Sequence, residues 1–156
     1  MQYLTHADRA ATDTSCIFCV KATAPDAREH ILYRGESSYV TLNRYPYNNG
    51  HLMVIPYAHA ASLELLDPPT LTELMLLVNR GLAVLRQAYH PDGFNIGVNV
   101  GQAAGAGIAE HVHIHVVPRW NADTNFMPIV GDTRIIPETL DQTYARLKPL
   151  FGAAAQ

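Results

Sequence analysis

A chain of 156 residues with 48% hydrophobic and 16% charged side chains can bury one core without disulfide staples, which excludes a disordered protein and reads as one domain. Its formal net charge of −3, with no stretch dense in Lys or Arg, excludes nucleic acid or an anionic membrane as the main partner. No apolar run reaches spanning length and residues 1–15 are polar, so the expectation is a soluble, cytoplasmic protein.

In chain order, residues 1–15 read as an N-terminal arm, 16–150 as a single domain and 151–156 as a C-terminal tail. Both cysteines stand in "CIFC" at 16–19. Their number excludes a disulfide framework and leaves a redox dithiol or half of a metal site. The redox version should precede a helix, and the polar, proline-broken "VKATAPDAREH" that follows disfavours it. "ILYRGESSYVTLNRY" reads as two strands about a Gly35–Ser38 turn, and "YPYNNG" as a turn cluster. "HLMVIPY" reads as a strand over 51–57 closed by Pro56.

Over 69–89, Leu71, Leu74, Met75, Val78, Leu82 and Leu85 recur at three- and four-residue steps. That predicts one long amphipathic helix with these side chains in the core, entered through Asp67-Pro68-Pro69 and left at His90-Pro91. "GFNIGVNVG" (93–101) predicts a strand with interleaved small residues, and "QAAGAGIAE" a flexible glycine loop. Strands over 111–117 and 127–131 and a helix from about 137 to 150 complete the chain. Strands, one long helix, more strands and a last helix point to α+β, an antiparallel sheet with helices packed on one side.

"EHVHIHVVPRW" (110–120) carries the chemistry. Strand alternation puts His111, His113 and His115 on one face and Val112, Ile114 and Val116 on the other. His6, His30 and His90 lie in polar or turn contexts and read as surface residues. Three imidazoles in a row are unfavourable unless something uses them. Two chemistries fit: a metal ion held by histidines two apart, or covalent catalysis with one imidazole attacking while its neighbours handle charge and protons. Gly101, Gly105 and Gly107 just upstream let backbone N–H groups turn toward an anion, which favours the second with phosphate as the anion. The pattern is neither a P-loop nor a dinucleotide fingerprint, and no organic cofactor is implied.

"HVHIHVV", with "CIFC", "LNRYPYNNGHLMVIPYAH" and "NIGVNVGQAAGAGIAEH" upstream in order, resembles the histidine triad (HIT) family of nucleotide hydrolases and transferases. The resemblance runs from 16 to about 120 and points to the fragile-histidine-triad-like and bacterial dinucleoside polyphosphate hydrolase or phosphorylase branch. It implies a HIT-like fold: a five-stranded antiparallel sheet, one long helix and a C-terminal helix, with two sheets joined across a homodimer. It implies that His113 attacks the α-phosphorus of a nucleotide substrate, that His115 binds the α-phosphate and bridging oxygen, and that His51 orients the triad. Asn43 falls where the ribose is bound, Asn99 on the phosphate side, and Gly105 and Gly107 where backbone donors lie. A structural Zn²⁺ on Cys16, Cys19, His59 and His111 is implied too, with Mg²⁺ accompanying the substrate.

One position departs from the pattern. Gly107 stands where Gln or Ser is common in dinucleoside polyphosphate hydrolases and phosphoramidases. "PRWNADTNFMPIV" resembles the distal part of bacterial members acting on dinucleoside polyphosphates, with Trp120 or Phe126 set to stack on a second base or to pack a dimer interface. The implied activity is cleavage of dinucleoside polyphosphates such as diadenosine tetraphosphate through a nucleotidyl-His113, with water or phosphate as acceptor. A nucleoside phosphoramidase and a non-catalytic nucleotide-binding module are the alternatives.

Overall fold

The computed structural model describes residues 16–123 and 138–153. The N-terminal arm, the predicted strand over 127–131 and Phe126 lie outside the described residues. Five strands, β1 (Ile31–Arg34), β2 (Ser38–Leu42), β3 (Leu52–Pro56), β4 (Gly93–Val98) and β5 (Ile114–Arg119), form one sheet in the order β1-β2-β3-β5-β4. Every neighbouring pair is antiparallel, as the α+β reading expects.

Strand alternation divides the sheet into two chemically different faces. Leu52, Val54, Ile114 and Val116 pair across β3 and β5 and join the main core with Val40 and Leu42. The long helix α3 (Pro68–Tyr89) covers that face through Leu74, Leu77, Val78, Val84 and Leu85, and the last helix α4 (Leu140–Ala153) adds Leu147 and Phe151. On the other face Ile31, Tyr39, Met53 and Ile55 pack beneath Cys16 and Phe18. Met53 pairs with His115, so the histidines share this second face while their apolar neighbours line the core.

The start of α3 is built as its sequence suggests. The Asp67 carboxylate accepts from the Thr70 amide at 2.9 Å, Pro68 and Pro69 occupy the first turn, and His90 closes the helix in the left-handed region. Met75 does not reach the core; it is exposed, and Leu77 and Val84 fill the stripe instead. Helix α4 runs through Ala153, past the expected start of a tail at 151. Among the described residues no helix is long and apolar enough to cross a membrane.

The segment after "CIFC" corrects the sequence reading: it is helical. Helix α1 (Ile17–Thr23) starts directly after Cys16 and contains Cys19, and a short α2 (Asp26–Glu29) follows. A distant residue closes α1. The Arg34 guanidinium donates to the Ala22 and Ala24 carbonyls at 2.6 and 2.9 Å and to Asp26 at 2.8 Å, satisfying acceptors that the helix leaves open. Lys148 on α4 donates to the same Asp26 carboxylate at 2.8 Å, so Asp26 on α2 ties the last helix to the arginine that closes α1.

Candidate active site and metal centre

The site lies where α1 and the β2–β3 turn approach the histidine strand. Gly50 makes the turn possible: it adopts φ +72°, and a Cβ there would lie 2.8 Å from a Leu85 methyl carbon. His51 follows, fully buried at the head of β3. The turn is pinned to the end of β5 by Asn48, which donates to the Pro118 carbonyl at 3.2 Å and to Asp123 at 3.0 Å. Asp123 also accepts from the Arg119 guanidinium and from the Trp120 amide, which fixes the start of the loop after the triad.

Hydrogen bonds assign the tautomers. The Tyr47 amide donates to His51 Nδ1 at 3.1 Å, so in the neutral ring the proton sits on Nε2. That Nε2–H donates to His115 Nδ1 at 2.9 Å, leaving His115 with its own proton on Nε2. His113 is held the opposite way. Its Nδ1–H donates to the His111 carbonyl at 2.9 Å, so its Nε2 carries a free lone pair. The His113 and His115 rings lie 4.7 Å apart, centroid to centroid, and present a bare nitrogen beside an N–H donor.

All three rings favour the neutral form. Burial, then the neighbouring His115 and His113, push His51 down to about 3. Burial and His113 lower His115 to about 4. Burial also lowers His113, opposed by its bond to the His111 carbonyl. Near pH 7 the triad therefore offers a nucleophile and a donor without carrying charge.

Around these rings stand residues that the sequence did not single out. Phe18 packs edge-on against His113 and His111, with centroids 4.8 and 5.5 Å away. Tyr47 covers His51 at 4.6 Å and stacks toward His115 at 5.9 Å. Both lie inside motifs already noted, but only the packing of α1 and the turn brings them to the triad. The side-chain amide nitrogen of Asn43 lies 3.4 Å from both ring nitrogens of His51. Gly97 pairs with His115 and Val98 with Ile114, and Asn99 directly follows the end of β4. The glycine loop is not featureless, since Gln102–Ala104 forms one 3₁₀ turn closed by Gly105 at φ +82°. At Gly107 a Cβ would meet nothing within 4 Å, so the missing side chain leaves open space.

A second cluster sits behind the triad. Cys16 Sγ lies 3.3 Å from His111 Nδ1, and Cys19 Sγ lies 3.4 Å from His59 Nδ1 and 3.6 Å from His111 Nδ1. The four ligand atoms all fall within 4.8 Å of one another. Tetrahedral zinc at ordinary bond lengths would hold two sulfurs and two nitrogens about 3.3 to 3.8 Å apart. His111 is prepared as a ligand: its Nε2–H donates to the Pro56 carbonyl at 2.9 Å, which turns a bare Nδ1 toward the thiols. Donor types, spacing and tautomer fit a closed Cys₂His₂ metal site.

Residues 24–122 match the HIT domain family. The chain belongs to the HIT family. The AP-4-A phosphorylase of Mycobacterium tuberculosis strain H37Rv is 45% identical to this HIT protein over 113 residues, 72% of the chain. The match spans 58% of that relative's length. The asymmetrical bis(5'-nucleosyl)-tetraphosphatase of Schizosaccharomyces pombe is 34% identical over 93 residues, 60% of this chain and 50% of that one. Among solved structures, a Zn-bound histidine triad family protein from Mycobacterium smegmatis superimposes with a TM-score of 0.71 at 30% identity, covering 89% of this HIT protein and 94% of that chain.

Proposed function

We propose that this HIT protein cleaves dinucleoside polyphosphates such as diadenosine tetraphosphate, by nucleotidyl transfer through His113. The observation that carries the reading is the opposed pair of tautomers, a bare Nε2 on His113 beside an Nε2–H on His115. His113 Nε2 attacks the α-phosphorus, and the bond from that phosphorus to the bridging oxygen breaks. The bridging oxygen leaves on the polyphosphate, with the His115 Nε2–H placed to donate to it. An acceptor then attacks the nucleotidyl-His113 from the vacated side and returns the lone pair to Nε2. Asn43 serves the ribose, and Asn99 with the backbone of Gly105 and Gly107 serves the phosphates, where Mg²⁺ would accompany the substrate. Identity to the AP-4-A phosphorylase and to the tetraphosphatase supports this substrate class.

The Cys₂His₂ set would hold a structural Zn²⁺ that cross-links α1 to the catalytic strand and takes no part in the chemistry. Edge strand β4 would join a second copy to form a homodimer.

Product analysis tests the proposal. Diadenosine tetraphosphate and Mg²⁺ are incubated with the protein, with and without inorganic phosphate. AMP and ATP without phosphate mark water as acceptor; ADP and ATP only with phosphate mark a phosphorylase. The H113A variant should lose roughly a thousandfold or more in rate while still binding AMP. Unchanged turnover in H113A rules out His113 as the nucleophile, and no turnover by the wild type on this substrate rules out the substrate class.

A further inference from the structure

Tyr47 gives its backbone amide to His51, but its ring has no part in the chemistry described so far. The turn that carries it is fixed. The His51 amide donates to the Asn48 carbonyl at 3.2 Å, and the Asn48 side chain holds the Pro118 carbonyl and Asp123. The ring is 52% exposed, so part of it meets solvent while the rest lies against the histidines.

Three centroid distances say where it lies. Tyr47 stands 4.6 Å from His51 and 5.9 Å from His115, and those two rings stand 5.1 Å from each other. The Tyr47 plane is inclined by only 38° and 29° to the two imidazoles, so it faces both. It therefore spans the 2.9 Å hydrogen bond that joins them. On its other sides His115 has Met53 and Gly97 as strand partners and His113 edge-on at 4.7 Å. The bond runs from a fully buried His51 to a half-buried His115, at the margin of a site that must admit water and polyphosphate. Water there competes for both ends of the bond, the His51 Nε2–H and the His115 Nδ1. An aromatic face laid over such a bond excludes the competitor and lowers the local dielectric, and both effects strengthen it.

Resting on the nucleotidyl-transfer reading above, we propose that Tyr47 is a positioning residue. Its ring shields the His51–His115 hydrogen bond from water and so keeps the His115 Nε2–H aimed at the leaving oxygen. Without the cover, water takes His115 Nδ1, the imidazole is released to turn about its side-chain torsions, and the donor is misaligned. Replacing the ring leaves the backbone amide in place, so the tautomer of His51 survives and only the shield is removed.

The test joins NMR to kinetics on the wild type, Y47A and Y47F. Exchange of the His51 Nε2–H with water, read in ¹⁵N-labelled protein, should be far slower in the wild type than that of the exposed His90 ring. Y47A should lose that protection, and Y47F, which keeps the ring, should retain it. With diadenosine tetraphosphate, Y47A should lose about tenfold in kcat, the scale of one hydrogen bond, with KM changed by less than about twofold. Y47F should restore kcat. A wild-type His51 proton that exchanges as fast as that of His90 overturns the inference, whatever the variants do. So does a Y47A defect confined to KM, which marks a substrate contact, or a defect that Y47F shares, which marks the hydroxyl. If the wild type turns over no dinucleoside polyphosphate, the reaction reading falls and takes the positioning role with it. An active wild type with an unprotected His51 proton sinks the positioning role alone.

Discussion

His51 shows how much one residue carries in this site. It touches no reacting atom in the proposed chemistry, yet the Tyr47 amide and its own Nε2–H set the protonated edge of His115. The alternation of His111, His113 and His115 was legible because extended chain alternates its side chains, although β5 itself begins only at Ile114 and not at 111 as expected. The tautomers were not, since they depend on a turn amide and two carbonyls that no spacing reveals. Burial as a neutral ring has a pH consequence. Unfolded His51 titrates near the ordinary value of 6.5, but the folded ring only at about 3, and His115 only at about 4. The unfolded chain therefore binds more protons between these values, and the stability present above about pH 6.5 is lost as pH falls toward 3. Thermal melting should drop progressively across that range. H51Q should flatten the profile by on the order of a few kcal/mol between neutral pH and pH 4. An unchanged slope in H51Q would show that the ring titrates normally in the folded state.

Among the elements, α1 is the one that sequence reasoning missed, and the reason is physical. Its seven residues include the β-branched Ile17, Val20 and Thr23 and stop just before Pro25, so local propensity is poor. What holds it is remote: Arg34 from β1 closes its carbonyls, Tyr39 donates to the Phe18 carbonyl at 2.9 Å, and the thiols face His59 and His111. Helix α3 was legible because Asp67, the prolines and the leucine stripe are all local. Only its rotation was misjudged, by one side chain, at Met75. A helix held from outside should depend on whatever joins its cysteines to the histidine strand. Elemental analysis of untagged protein should find about one zinc per chain, and C19S should lose it together with roughly 3 kcal/mol or more of stability. Less than about half an equivalent of zinc, with freely reactive thiols, would show that the cluster holds no metal.

At the scale of the whole molecule, the sheet formed by the described residues is finished on one side and open on the other. Strand β1 is bounded by α2 and tied to α4 through Lys148, which donates to the Ile31 carbonyl at 3.0 Å. Among the described residues strand β4 pairs only with β5, and its middle residues Asn95, Ile96 and Gly97 are exposed. An edge of this kind invites another strand unless charge or proline blunts it, and "GFNIGV" contains neither. Ile96 is 47% exposed beside an otherwise apolar face, and α3 adds Met75 and Leu76 to the uncovered apolar surface. A second copy brings the complementary edge automatically, because a two-fold axis pairs a strand antiparallel with itself. Light scattering should therefore give twice the chain mass of 17.2 kDa. I96K, which sets like charges near the axis and leaves the core untouched, should shift the population toward the single chain mass. A wild type that scatters as one chain at micromolar concentration would mean that β4 is a true edge, and that one protomer presents the complete site.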